Sequence, residues 1–373
     1  MIAKPERVTQ DRVVDLFRHQ LGYTYLGNWQ DRPNNSNLEA DLLEQYLQRR
    51  GYQPAQISKA LFILQGLAGS QGQTLYDNNK AFYQALYYGV DVKTEAGANT
   101  ETVQLIDWQQ PTANTFYIAE EVTVFGNKQK RPDIVLYVNG IALAVLELKN
   151  SRVSIGEGIR QSLNNQKPEF IGSFFNTVQF VFAGNDTEGL RYGTIGTPEK
   201  FFLTWKEDEQ DNLGYKLDKY LTKLCQPERL LELIHNFVIF DAGVKKLPRP
   251  HQYFGVKAAQ QFIGKREGGI IWHTQGSGKS ITMVLLAQWI LSNNPNGRVV
   301  IVTDRDELDK QIESVFRNSG ETIYRTSSGR DLMTKLGQTK PRLLCSLIHK
   351  FGQRDVDDLE AFITGLTQKE KRI

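Results

Sequence analysis

The chain has 373 residues, 40% hydrophobic and 23% charged, with a formal net charge of +3 at pH 7. That length exceeds one ordinary core, so two globular domains are expected, and the near balance of charge permits a polyanionic partner without demanding one. The two cysteines, Cys225 and Cys345, stand far apart, which argues against a disulfide framework or a zinc site and fits a reducing cytoplasm. No apolar run reaches membrane-span length, and Met1 to Arg7 carries charges and Pro5 where a signal peptide needs an apolar core.

In chain order, Val13, Val14, Phe17 and Leu21 fall at helical spacing and predict a helix over Thr9 to Leu21. Polar Asp31 to Asn37 breaks the pattern. A second helix starts at Leu38, with Leu38, Leu42, Leu43 and Leu47 on one face, and stops near Gly51. Gly66 to Gln73 reads as a loop and Lys80 to Tyr88 as a third helix. Branched and aromatic residues then predict strands at Thr115 to Val124, Ile134 to Val138 and Ile141 to Leu148. A helix over Ile159 to Phe170, a strand over Val178 to Ala183, and two helices parted by Pro227 (Leu217 to Leu224, Glu228 to Asn236) follow.

Asp241 to Pro250, with Gly243 and two prolines, is the predicted boundary, dividing the chain into 1–242 and 243–373. Beyond it, helix 251–263, strand Gly269 to Trp272, helix 279–291, strand Arg298 to Thr303 and helix 306–316 alternate. That alternation predicts a parallel α/β sheet. Cys345 to Phe351 reads as a further strand edge.

Two constellations carry chemistry. The first is Arg131-Pro132-Asp133, followed fourteen positions later by Glu147-Leu148-Lys149. Phosphodiester hydrolysis with Mg²⁺ needs converging carboxylates to hold the metal and a cation for developing negative charge. Asp133 and Glu147 are the candidate metal ligands, and Lys149 completes the catalytic set. Glu147 and Lys149, two apart on a strand, share a face. Asp133 reaches that face only if the Asn139-Gly140 connection is a three-residue loop or an equivalent bulge; a plain two-residue hairpin would turn it away. The hairpin is otherwise apolar on both faces, as in a sheet covered by helices. Glu39, Glu120 and Glu121 are accessory acid candidates. The bland alternative is a turn aspartate beside a solvated strand end.

The second is His273-Thr274-Gln275-Gly276-Ser277-Gly278-Lys279-Ser280, between a predicted strand and a predicted helix. Such a loop lets backbone amides close around phosphates, with Lys279 on the β/γ oxygens of ATP and Ser280 on Mg²⁺. His273 stands where the usual first glycine would be. Gln252 is either an adenine reader or an ordinary helix-start residue. Asp304 would cap the next helix, with Arg305 and Lys350 as candidate DNA-backbone contacts.

The stretches Arg131 to Asn150 and Trp272 to Ser280 resemble the R (HsdR) subunit of type I restriction-modification enzymes, and the likeness runs along the whole chain. It implies an α/β fold: a PD-(D/E)xK nuclease-like mixed sheet flanked by helices, then an incomplete RecA-like parallel α/β superfamily 2 helicase lobe. It also implies ATP-driven translocation on double-stranded DNA and Mg²⁺-dependent cleavage away from the recognition site. The partners would be the M and S methyltransferase subunits, through which S-adenosylmethionine acts. The family carries a Gln-x-x-x-Tyr element after the nuclease strands. Here the candidates are Gln161 with Asn165 and Gln166 with Phe170; neither has the tyrosine, and only Gln161 is carried over. No Asp-Glu-x-His box precedes Ile373, so these residues are expected to bind ATP weakly and not to hydrolyse it or translocate efficiently. Alternatives from other classes are a stand-alone repair helicase-nuclease and an inert nucleotide-gated DNA-binding module.

Overall fold

The computed structural model describes residues 6–95, 97, 99–207, 214–318 and 322–351. Met1 to Pro5 of the charged N-terminus lie outside them. The chain forms two compact units, Met1–Pro250 and His251–Ile373.

The first unit runs α1 (Glu6–His19), β1 (Thr24–Asn28), α2 (Ala40–Arg49), α3 (Pro54–Ala68), α4 (Leu75–Tyr88), β2 (Val90–Val92), β3 (Glu101–Val103), β4 (Phe116–Glu120), β5 (Ile134–Val138) and β6 (Ile141–Leu148). It continues α5 (Ile155–Asn165), β7 (Phe180–Asn185), β8 (Gly189–Gly193), α6 (Lys216–Cys225), α7 (Pro227–Phe237), β9 (Ile239–Asp241) and β10 (Val244–Lys246). Its main sheet has the order β1-β4-β5-β6-β7-β8, with β1/β4 and β6/β7 parallel and the other pairs antiparallel. This is a mixed sheet, and helices cover both faces. Ala183 of β7 faces α5, since the backbone of Gly158 lies against its side chain. Its neighbour Gly184 points the other way and meets Leu217 of α6. α1 packs beside α6 and against β1, β4 and β6. All residues of β5 and β6 are buried, as expected for strands covered on both sides.

Of the two connections expected to bring Asp133 round, the β5–β6 hairpin has the bulge and not the three-residue loop. Val138 pairs with Ile141 across a two-residue Asn139-Gly140 turn, and both turn residues have positive φ (52° and 90°), as a type I′ turn requires. The side switch comes later. Tyr137 pairs with Ala142 but Leu136 with Ala144, so Leu143 is an extra residue in β6. This bulge moves every later β6 residue to the opposite face.

Other expectations shift as well. The predicted loop at Gly66 begins only after Ala68, because α3 occupies Pro54–Ala68. Within the Asp241 to Pro250 boundary stretch, β9 and β10 form a small antiparallel pair. Pro227 sits at the first position of α7, where its missing N–H is no loss.

In the second unit come α8 (Pro250–Gly264), α9 (Lys279–Asn293), β11 (Val299–Thr303), α10 (Asp306–Asn318), β12 (Tyr324–Arg325), α11 (Gly329–Leu336) and β13 (Leu343–Leu347). The strands form a parallel sheet of order β11-β13-β12. The predicted strand Gly269 to Trp272 is not formed: the segment is irregular, with Ile270 89% and Trp272 90% exposed. A strand exists only through ladder bonds to a neighbour, and no described strand runs beside it. Cys345 to Phe351 splits into the end of β13 and a 3₁₀ turn, Ile348–Phe351.

Candidate functional site

Past the bulge, Ile134 pairs with Leu146. Continuing that register sets Asp133 across from Glu147, so the two carboxylates share the face on which α5 packs. Glu147 is fully buried and Asp133 is 8% exposed. Asp133 Oδ2 accepts a 2.7 Å hydrogen bond from Leu148 N, which fixes its rotamer. Lys149 Nζ lies 3.9 Å from Asp133 Oδ2 and 4.0 Å from Glu6 Oε1, and donates to Leu148 O at 2.7 Å. The sheet edge thus gathers the three residues expected from the sequence.

Helix α5 completes the site. Gln161 Nε2 donates to Glu147 Oε2 at 2.6 Å, and Asn165 Nδ2, one turn on, donates to Glu147 Oε1 at 3.2 Å. The pair spaced four apart faces the same way, so the Gln161/Asn165 candidate is the one at the site. Gln166 instead accepts from Gly196 N at 2.8 Å. α5 lies close over the strands at Gly158, where a Cβ would stand 3.3 Å from Ala183 Cβ and in ordinary contact with Lys149 Cγ (3.4 Å) and Glu147 Cβ (3.6 Å). Gly158 was not singled out in the sequence, and Asn165 was named only as the position where the family's tyrosine is missing.

The electrostatics are those of two carboxylates forced together in a dry place. Burial pushes Asp133 up to about 6, against the pull of Lys149 and the Leu148 amide. Glu147 is raised well above the usual carboxylate range, first by burial and then by Asp133. Each anion is costly to charge without a cation between them.

The accessory acids are placed differently from one another. Glu39 caps α2 at the turn end of the hairpin, its N bonded to Gly140 O, and pairs with Arg32 at 2.6 Å. It is therefore at the opposite end of β5 and β6 from Asp133. Glu120 is engaged by Arg7, Tyr25 and Gln10. Glu121 pairs with Arg131 at 2.7 Å, and its backbone N donates to Asp133 O. Glu6, not singled out in the sequence, is the helix acid beside Lys149.

In the second unit, His273 to Gly278 wraps ahead of α9, with Gly276 and Gly278 left-handed (φ 75° and 84°). Thr274, Gln275 and Gly276 are exposed and Ser277 is buried; Lys279 and Ser280 open the helix. Lys279 Nζ donates to the carbonyls of Thr274 (3.1 Å) and His273 (3.4 Å), the position a phosphate's oxygens would compete for. Gln252 is buried, and its amide nitrogen donates to Gly278 O (3.1 Å) and Ser277 O (3.3 Å). His251 Nε2 adds a bond to Ser277 O at 3.0 Å, which requires the proton on that nitrogen. Gln252 thus braces the glycine loop from the start of α8. Asp304 and Arg305 are exposed and lie 3.6 Å apart as a surface pair. Lys350 is buried and donates to Thr326 O, so it presents no ammonium to DNA here.

Among the described residues no group of three or more His, Cys, Asp or Glu forms a metal cage, and no helix is long and apolar enough to cross a membrane. The family model for the N terminus of type I restriction enzyme R proteins matches residues 3–200, and that for SWI2/SNF2 ATPases matches 251–373. The chain is similar to the type I restriction enzyme HindI endonuclease subunit of Haemophilus influenzae: 32% identical over 275 residues, 66% of this chain and 26% of that one. It is 28% identical over 325 residues to the putative MjaIXP endonuclease subunit of Methanocaldococcus jannaschii, covering 76% of this chain and 31% of that one. With the SauCOLORF180P endonuclease subunit of Staphylococcus aureus it shares 26% identity over 257 residues, 67% and 27% of the two chains. It therefore spans between 26% and 31% of the length of these relatives. The match over more than half its length, on the residues that build this site, makes the chain a member of the type I restriction enzyme R protein family.

Proposed function

We propose that the first unit is a PD-(D/E)xK endonuclease domain acting on double-stranded DNA within a type I restriction-modification complex. The observation that carries this reading is the buried, facing pair of Asp133 and Glu147 with Lys149 Nζ 3.9 Å from Asp133. The donor set fits Mg²⁺. Two carboxylate groups converge, their charging is opposed by burial and by each other, and a hard divalent cation takes oxygen ligands of this kind. Asp133 and Glu147 would hold it, and when bound it would polarise the scissile phosphate and lower the pKa of water. Gln161 and Asn165 fix both Glu147 oxygens. Lys149, on a buried stem, keeps an ammonium where negative charge develops on the phosphate.

The second unit supports an ATP-binding reading: Lys279 and Ser280 at the start of α9, with the loop Thr274 to Gly278 ahead of them, match a triphosphate cradle with Mg²⁺ on Ser280. The complete subunit would then move double-stranded DNA and cut it away from the recognition site, docked on M and S subunits whose methyltransferase brings in S-adenosylmethionine. These roles rest on the family and on the relatives' names as endonuclease subunits.

The test is Asp133→Asn in the complete subunit assembled with its methyltransferase partners. Plasmid cleavage should fall by at least about 100-fold while DNA-stimulated ATP turnover persists. Unchanged cleavage would favour an inert module.

A further inference from the structure

The connection from β4 to β5 projects from the same end of the sheet as Asp133. It is a hairpin, bridged at Val124↔Lys130 and bonded from Val122 N to Pro132 O. Asn127 pins it to the chain after α5, its N bonded to Phe170 O and its side chain to Pro168 O. On this anchored hairpin, Lys130 Nζ sits 4.2 Å and Lys128 Nζ 5.7 Å from the centroid of the Phe170 ring. Two ammonium groups are thereby gathered on one ring. Among the described residues neither has a carboxylate within ion-pair distance, whereas the adjacent Arg131 is already answered by Glu121. Cation–π contact positions such groups without neutralising them. At the tip, Phe125 is 68% exposed.

We propose that the 124–130 hairpin is a DNA-backbone clamp for the nuclease site, in which Lys128 and Lys130, held over Phe170, grip phosphates of the duplex being cut. Only Arg131 and Pro132 separate Lys130 from Asp133, so Lys130 lies within roughly 10 Å of chain from that carboxylate. That is about three base-pair steps along a duplex. The clamp supplies sequence-independent grip, which suits an enzyme that cuts where it stops rather than where it reads. The inference rests on the nuclease reading of Asp133 and Glu147.

The experiment measures binding of a fluorescent 30-base-pair duplex to this 373-residue chain, without divalent metal, from about 20 to 200 mM KCl. Removing one phosphate-neutralising cation lowers the slope of log K against log salt by about 0.9. The Lys128→Ala/Lys130→Ala double variant is therefore expected to lower it by about 1.8, while Lys128→Arg/Lys130→Arg keeps it. A slope unchanged in the alanine variant overturns the clamp, as does a wild-type chain that binds no duplex at the lowest salt. The nuclease reading has its own readout, cleavage by the assembled complex, so a failed clamp (slope unchanged in the alanine variant) and a failed nuclease assignment (cleavage unchanged on Asp133→Asn) give different results. Lys128 is exposed and Lys130 half-buried, and equal melting temperatures of the variants show that the fold is intact.

Discussion

At the residue scale the chemistry turns on one buried carboxylate and its company. Glu147 has both oxygens tied by amides from α5, and Asp133 faces it. Without metal, Asp133 has a folded-state pKa of about 6, above its ordinary 3.8, because of burial. The sign follows: a carboxyl whose pKa rises on folding stabilises the fold below about pH 4, and that contribution is lost as pH climbs through about 6. On the proposed reading, Mg²⁺ would compete with the same protons. Its stabilisation of the first unit should accordingly be larger at pH 7.5 than at pH 5.5. At ten times Kd it amounts to about 1.4 kcal/mol, or roughly 3–6 °C in melting temperature. Thermal melts with and without Mg²⁺ at the two pH values check this, and Glu147→Gln should shrink the difference. An equal shift at both values would mean that these carboxylates are not the ligands. Asp133, Glu147 and Lys149 were read as a set from their types and spacing, and the structure brings them together. Asn165 was not read with them, since an asparagine in a family's tyrosine position carries no signal until α5 is seen against β6.

At the element scale, the β5–β6 hairpin shows what a sequence pattern resolves and what it leaves open. The bounds of both strands follow from their branched residues and the Asn-Gly turn. The bulge at Leu143 does not, because it lies in Ala142-Leu143-Ala144, where both faces are apolar and a side switch changes no hydrophobic pattern. The need for Asp133 and Glu147 to face each other called for a three-residue loop or an equivalent bulge, and β6 contains the bulge. Short β1 and β8 were missed for a related reason, since Gly27 in β1 and the terminal glycines of β8 read as turns. α3 was missed because exposed Phe62 and Ile63 blur its single buried face. The turn itself is tightly specified. A Cβ on Gly140 would lie 2.6 Å from Glu39 O and 2.8 Å from Leu43 N, at a φ of 90°. Gly140→Ala is expected to cost about 2–4 kcal/mol, combining backbone strain with a clash against immovable backbone. Urea unfolding of the first unit should show a clearly lower midpoint, and an unchanged midpoint would show that the turn can relax away from α2.

At the scale of the whole molecule, the two units differ in how much of their architecture could be anticipated. The alternation beyond Pro250 correctly indicated parallel strands, but the segment before the glycine loop lacks a described neighbour and stays irregular. For the first unit, composition alone placed the boundary at the Gly- and Pro-rich stretch, which suggested dividing the chain after residue 242. Such a division would remove β10 and with it Lys245, which is 3% exposed. Its ammonium donates to Asn79 Oδ1 at 2.8 Å and to Gln179 Oε1 at 2.5 Å, tying β10 to α4 and to the residue just before β7. Tyr192 OH, on β8, donates to Pro248 O at 2.8 Å. Two lysines between Gly243 and Pro248 look like linker sequence, so this anchor was invisible until the partners came together. Losing the segment strands three buried polar groups, each at about 1–3 kcal/mol. A fragment of residues 1–250 should therefore melt cooperatively, and a fragment of 1–242 should melt roughly 10 °C or more lower. Differential scanning calorimetry of the two fragments decides it: equal melting temperatures would mean that Lys245 and Pro248 are dispensable and that the first unit closes before β10.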